Sequence, residues 1–123
     1  MATTISISDG PAQKNYRPYR GDTFGRSFKI KVGGVYEDIS ADTLKLTVKN
    51  NIGEQLYQLT IGAGITLGPG TGQASWKFTP LQMQTFPVGI TTYYDIEWTR
   101  ASDGNVKTVQ AGTMVCTKDQ TPP

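Results

Sequence analysis

Apolar and polar residues alternate along much of the chain with a period of two. The clearest example is the segment 44–49, in which Leu, Leu and Val alternate with Lys, Thr and Lys. Segments 24–32, 55–61, 74–78 and 93–99 show the same alternation. This period is typical of a strand with one face in a core and the other in solvent. The pattern therefore predicts an all-β chain.

Turn-forming residues separate these segments. The sequences of residues 50–53 and 103–104 contain the Asn, Asp and Gly that hairpin loops require, because these residues tolerate positive φ. Residues 62–64 and 68–72 are glycine-rich and predict further turns. The loop at 103–104 joins segment 93–99 to a return strand with four residues on one parity: Val109, Ala111, Thr113 and Val115.

A short helical turn is predicted between two prolines. Thr79 precedes Pro80 as an N-cap residue precedes a proline at the first helical position, and Pro87 ends the segment. About eight strand candidates recur at the spacing typical of a β-sandwich. The predicted organisation is an N-terminal arm or edge strand (1–19), a β-sandwich domain (20–117) and a C-terminal tail (118–123).

Composition limits the classes of function. The chain has 123 residues, of which 37% are apolar and 18% charged, and its net charge is +2. This weak, mixed charge does not indicate a nucleic-acid partner. The interval from Lys14 to Arg26 interleaves basic and aromatic residues, which can bind single strands. An arm or edge strand with solvated charges is the favoured interpretation of that interval.

Residues with catalytic potential are few. The chain has no histidine and a single cysteine, Cys116, so histidine-based triads and an internal disulfide are excluded. Asp95 and Glu97 share one strand face, as a carboxylate pair or calcium site would require, but that face is opposite the apolar one, which favours solvated charges. The glycine-rich 68–72 segment lacks the Lys-Ser/Thr of a phosphate loop. We therefore predict no catalytic, cofactor-binding or metal-binding residues.

Three ordered blocks resemble the immunoglobulin-like virion modules of tailed bacteriophages, and are similar to the N-terminal domain of phage baseplate upper proteins. They are residues 20–24 (Arg-Gly-Asp-Thr-Phe), 35–46, and 93–98 followed by 112–115, with a terminal Asp-Gln-Thr at 119–121. The resemblance implies an immunoglobulin-like antiparallel β-sandwich of about 7–9 strands, with the short helical turn near residues 80–86.

The resemblance also implies a function. A virion structural or accessory protein is expected, not an enzyme and without a cofactor, docking on capsid, neck or tail through protein–protein contacts. Its expected partners are other virion proteins or further copies of itself, with no nucleic acid, membrane or small-molecule substrate. The N-terminus lacks the charged and apolar regions of a signal peptide, so the expected location is the virion after synthesis in the host cytoplasm.

The predicted contact residues lie in the arm. Strand addition would supply main-chain hydrogen bonds, and apolar anchors would come from Ile5, Ile7, Tyr16 and Tyr19. The alternative function is a host-surface carbohydrate- or receptor-binding module, which needs exposed tyrosines. Its candidates are Tyr16, Tyr19, Tyr36, Tyr57 and Tyr93. The aromatic residues Trp76, Phe78, Tyr94 and Trp98 are instead predicted to lie in the core.

Overall fold

A computed structural model describes residues 3–6 and 12–117, with side chains described from residue 13 onward. It confirms an all-β, sandwich-like fold. The described strands follow in chain order: β1 Thr3–Ser6, β2 Ala12–Gln13, β3 Phe24–Val32, β4 Val35–Tyr36, β5 Thr43–Lys49, β6 Gln55–Ile61, β7 Gly64–Leu67, β8 Gln73–Phe78, β9 Thr92–Thr99 and β10 Val106–Met114.

The strands form a continuous hydrogen-bonded sheet that curls into two layers. Their order is β1-β3-β8-β7-β6-β5-β9-β10-β2, with β4 pairing beside β3. The layers meet through aromatic side chains: the ring centroids of Tyr57 on β6 and Phe78 on β8 are 5.8 Å apart. Trp76, Phe78, Tyr94 and Trp98 are all buried, as predicted.

Most strand pairs are antiparallel, as predicted, but three of the described pairs are parallel: β1–β3, β10–β2 and β6–β7. The first two arise because the N-terminal segment lies along both outer edges of the curled sheet. The third lies at the corner between the two layers. There the chain passes from β6 to β7 through residues 62–63 without reversing its direction. These parallel pairs distinguish the fold from a purely antiparallel sandwich.

The single described helix, α1, comprises Pro80–Met83, within the predicted helical turn. Thr79 is its N-cap: the Thr79 hydroxyl accepts a hydrogen bond from the Gln82 amide, and the Gln82 side chain accepts one from the Thr79 amide. This reciprocal capping satisfies amide groups that a helix start leaves unpaired. It positions Met83 in the core.

A β-bulge in β10 changes which residues face the core. The register between β10 and β9 shifts between Thr108 and Gln110, so both Val109 and Gln110 are buried. Beyond the bulge the parity is reversed, since one extra residue moves every later side chain to the other face. The inward residue near the end of the strand is therefore Met114, and the single parity predicted from Val109 to Val115 does not hold.

The two ends of the sandwich differ in composition. We call one the α1 end; it contains residues 17–23, the β5–β6 hairpin loop, α1 with the loop leading to β9, and residues 115–117. The other, the hairpin end, contains the β9–β10 hairpin loop and the loops that follow β3, β6 and β7. Strand directions place these segments together, since Lys49 pairs with Tyr93 at the α1 end and Thr43 with Thr99 at the hairpin end.

Candidate interaction surface

Exposed apolar side chains concentrate at the α1 end. Ile52 and Leu81 are each 74% exposed, the highest values among the large apolar side chains of the described residues. Isolated exposed apolar residues are ordinary, but several at one end of a small domain are typical of a contact surface. We call this set the α1-end patch, and its members are Tyr19, Ile52, Leu81, Val88, Ile90 and Tyr93.

Backbone hydrogen bonds hold the segments of the α1-end patch in place. The Thr117 amide donates to the carbonyl oxygen of Pro18 at 2.9 Å, and the Arg20 amide donates to that of Thr117 at 2.9 Å. On the other side of the same segment, the Gly89 amide donates to the carbonyl oxygen of Cys116 at 2.9 Å. Residues 18–20 and 88–89 therefore flank the end of β10 and extend the sheet.

Helix α1 is anchored to the same end by side chains. The Arg20 guanidinium donates through Nε to the Gln84 carbonyl oxygen at 2.9 Å. The Tyr57 ring stacks on Phe86 with centroids 5.1 Å apart, and its hydroxyl donates to the Gln82 carbonyl oxygen at 3.2 Å. With Met83 buried beneath it, the helix presents Leu81 to solvent on a fixed support.

At the hairpin end, several charged groups are engaged by contacts within the chain. Asp42 accepts hydrogen bonds from the Trp98 indole at 2.8 Å and from the Ala101 amide at 2.9 Å. Arg100 forms an ion pair with Glu37 at 2.8 Å. The exposed apolar residues at this end are Val35, Tyr36, Ile61 and Val106.

These contacts engage the charged groups of Asp42, Arg100 and Glu37 within the chain. The Lys31 Nζ lies 4.7 Å from the centroid of the Tyr36 ring, so Tyr36 is also partly engaged within the chain. The hydrogen bond from the Ser40 amide lowers the pKa of Asp38 below its usual value. By comparison, the α1 end carries six of the ten large apolar side chains that are exposed among the described residues.

The outer face of β9 carries the two carboxylates noted in the sequence. Asp95 and Glu97 are half-buried rather than fully solvated. Burial raises the pKa of Asp95 above its usual value, and the nearby Glu97 charge adds to that effect, while Lys49 and Lys45 oppose it. Glu97 pairs directly across the sheet with Lys45, so the carboxylates belong to a charged ladder between β5 and β9.

The predicted arm residues fall in different environments. Ile5 lies in β1, where its backbone pairs with Ile30 of β3, and Ile7 lies outside the described residues. Tyr16 is only 7% exposed and belongs to the core of its own chain, so it is not free to contact a partner. Tyr19 is 44% exposed and lies in the α1-end patch. The docking role of the arm stays a prediction, and so do the domain boundaries at 19–20 and 117–118.

Gln110 is a structural residue that the sequence pattern did not reveal. Its side-chain amide donates to the hydroxyls of Tyr16 at 3.1 Å and Tyr94 at 2.8 Å. Tyr94 in turn donates to the Lys14 carbonyl oxygen at 2.7 Å. This buried network ties residues 14–16 to the sandwich. In the sequence, Gly112 could have indicated this irregular part of β10, because glycine inside a strand often marks a bulge or a close backbone approach.

The tyrosines proposed for carbohydrate recognition do not form a common platform. Tyr16 is buried, and the half-buried Tyr57 packs on Phe86. Tyr36 lies at the hairpin end, whereas Tyr19 and Tyr93 lie at the α1 end. Within the described residues, no three acidic or cysteine side chains converge as metal ligands would. No helix of the described part has the length and apolar composition needed to cross a membrane.

The chain shares its fold with a phage protein domain. No family model matches it, and no curated protein sequence matches it either. Among solved structures, it is similar to the N-terminal domain of ORF48 of phage TP901-1 with a TM-score of 0.58. The similarity covers 94% of this chain and 95% of that chain at 8% sequence identity. At this identity the similarity establishes a common fold across almost the whole of both chains.

Proposed function

We propose that this chain is a non-enzymatic virion structural module of a bacteriophage that docks onto another virion protein through the α1-end patch. The observation that carries the proposal is the fold shared with the phage TP901-1 domain over nearly the full length of both chains. Because folds host many functions, the fold supplies the class of protein and the surface must supply the mechanism.

The composition of the α1-end patch supports docking by protein–protein contact. Interface cores are enriched in aromatic and apolar residues and depleted in charge, with a polar rim around them. Leu81 and Ile52 would supply the apolar centre, and Tyr19 and Tyr93 would supply amphipathic rings. Arg17 and Arg20 flank Tyr19 in the sequence and would belong to the rim.

The rigid support of the patch also favours this role. Residues 18–20, α1 and the end of β10 are linked by backbone and side-chain hydrogen bonds, so little conformational entropy would be lost on docking. The predicted arm enters the same mechanism through Tyr19. Capsid, neck or tail would be equally suitable sites for such a module, and the partner would be another virion protein or a further copy of this chain.

The test is incorporation into virions of the phage that encodes the chain. The double variant Ile52→Ser/Leu81→Ser removes the two most exposed apolar side chains of the patch, and Val35→Ser/Val106→Ser is the matched control at the hairpin end. Surface substitutions of this kind change stability by only about 0.5 kcal/mol each. Quantitative immunoblotting of purified particles would give the copy number of each variant.

We expect the patch variant to be depleted roughly tenfold or more from particles, as expected when interface anchors are lost, while the control is incorporated normally. Tyr19→Ser should weaken incorporation as well. Equal incorporation of the patch and control variants would reject docking through the α1 end. Absence of the wild-type chain from purified particles would reject the virion role itself.

A further inference from the structure

The corner between the two layers leaves one side of β6 without a neighbouring strand. The pairing of β6 with β7 is limited to Thr60 with Gly64 and Ile61 with Ile65, although β6 begins at Gln55. Within the described part of the chain, residues 55–59 therefore have β5 on one side and no paired strand on the other. Such an edge presents backbone N–H and C=O groups that can pair with another chain.

Strand β8 faces the same gap from the other layer. It pairs with β7 only through residues 74–76, but continues to Phe78 with β3 on its far side. Strand β7 thus begins beside Thr60 and runs away from α1, and an open space remains between Gln58 and Leu59 of β6 and the end of β8. The gap lies where β7 would continue if it were longer at its N-terminal end.

This space is a defined cleft with a volume of about 650 Å³. Its lining includes the core residues Leu59 and Trp76, together with Gly64 of β7 and Gln82 of α1. The remaining walls are largely neutral and polar, with Gln58 and Ser75 among them. A cleft of this kind offers hydrogen-bonding groups along its sides and an apolar contact in its interior.

From this geometry we infer that the cleft binds a short extended peptide carrying a carboxylate, held as an added strand beside β6. An extended peptide is the occupant whose own N–H and C=O groups match a strand edge, and its alternate side chains would enter the cleft. Gln58 and Leu59 are the residues of β6 that line the cleft, so at about 3.3 Å per strand residue the paired part of the peptide would span roughly two to three residues. The cleft is distinct from the α1-end patch, so this inference goes beyond the proposed docking.

The charge of the occupant follows from Lys77. It is the only ionisable side chain among the residues that line the cleft, and it is exposed at the end of β8. No carboxylate lies within salt-bridge distance of its ammonium group in the described part of the chain. An acidic side chain or a C-terminal carboxylate of the peptide would therefore gain a charge-assisted hydrogen bond there.

The test uses a fluorescein-labelled pentapeptide, Thr-Val-Thr-Val-Glu, titrated into the ¹⁵N-labelled protein and followed by NMR and fluorescence anisotropy. We expect saturable shift changes at the amides of residues 56–59 and 76–77. We also expect Lys77→Glu to weaken binding roughly fivefold or more, because an exposed ion pair is lost and replaced by repulsion between like charges. Lys107→Glu on exposed β10 is the matched charge reversal and should bind as the wild type does.

A second variant and a second peptide keep the test decisive. Thr66→Trp fills the mouth of the cleft from an exposed position and should abolish the shift changes even if Lys77→Glu fails to fold. A peptide with an N-methyl group on every backbone amide has no N–H to donate to β6 from either of its edges and should not bind. Absence of shifts, shifts confined to other strands, or equal binding of the methylated peptide would overturn the inference. The Ile52→Ser/Leu81→Ser variant should still bind, which separates this result from the docking proposal.

Discussion

Replacing Tyr94 by Phe tests whether the buried network fastens the N-terminal segment to the sandwich. The Tyr94 hydroxyl accepts a hydrogen bond from Gln110 at 2.8 Å and donates one to the Lys14 carbonyl oxygen at 2.7 Å. It therefore links β9, β10 and the segment beside β2 at a single atom. The Phe variant keeps the buried ring and removes only this link.

The expected loss of stability follows from the two hydrogen bonds. Each is worth about 1 kcal/mol net, and leaving a buried partner unsatisfied adds to that loss, so we expect about 2–3 kcal/mol. Tyr16→Phe removes the hydroxyl that accepts a hydrogen bond from the Gln110 side chain at 3.1 Å. It should lower the free energy of unfolding by about 1 kcal/mol. Tyr93→Phe is the matched control, because Tyr93 is half-exposed, and should change stability by less than about 0.5 kcal/mol.

Urea unfolding monitored by tryptophan fluorescence would give the three values, and hydrogen exchange would locate the effect. The amides of Tyr16 and Val115, which bond to the carbonyl oxygens of Thr113 and Tyr16, should lose protection in Tyr94→Phe before the amides of β5 do. A melting temperature lowered by roughly 10 °C would accompany a loss of this size in a domain of this length. If Tyr94→Phe and Tyr93→Phe prove equally stable, the network does not hold the segment and the reasoning fails.

Three further predictions concern other contacts. Gly112→Ala places a methyl group 1.9 Å from the Lys14 carbonyl oxygen, so we expect a loss of about 2–3 kcal/mol in urea unfolding and weaker exchange protection at residues 14–16. Thr79→Ala removes the N-cap of α1 and should cost about 1 kcal/mol in the same assay, with Thr79→Ser as a near-neutral control. Asp95→Asn should stabilise the protein at neutral pH, because the raised pKa of Asp95 means that its ionised form is disfavoured in the fold. The difference should shrink as the pH falls through the raised pKa of Asp95 towards the ordinary aspartate pKa, below which the carboxyl group is neutral in both states. A constant difference across that range would contradict the assigned cause.

The sequence alone predicted the class of fold because the features that indicate a strand are found among neighbouring residues. In β5, the alternation of Leu44, Leu46 and Val48 with polar residues assigns one face to the core, and all three are buried. The hairpin at Asp103-Gly104 and the Thr79-Pro80 start of α1 were also predicted correctly, because turn and cap residues act through their own backbone. The core assignment of Trp76 and Trp98 followed from the same alternation.

The bulge in β10 was beyond the reach of the local pattern. Val109 and Ala111 share a parity in the sequence, but the extra residue at the bulge reverses the parity and buries Gln110. A bulge is favoured by what the strand meets on its neighbours, here the hydroxyls of Tyr16 and Tyr94. Those partners lie 94 and 16 positions away in the sequence, so no short window contains the interaction.

The candidate surfaces divide in the same way. The sequence determined that the chain is all-β, and it predicted Tyr19 as a contact residue, which stays a prediction. Only the tertiary structure decided that Tyr16 belongs to the core, that Ile52 and Leu81 share one end of the sandwich, and that β6 has an open edge. The physical reason is that alternation and turn chemistry are properties of neighbouring residues, whereas a surface or a cleft is formed by strands brought together from distant parts of the chain.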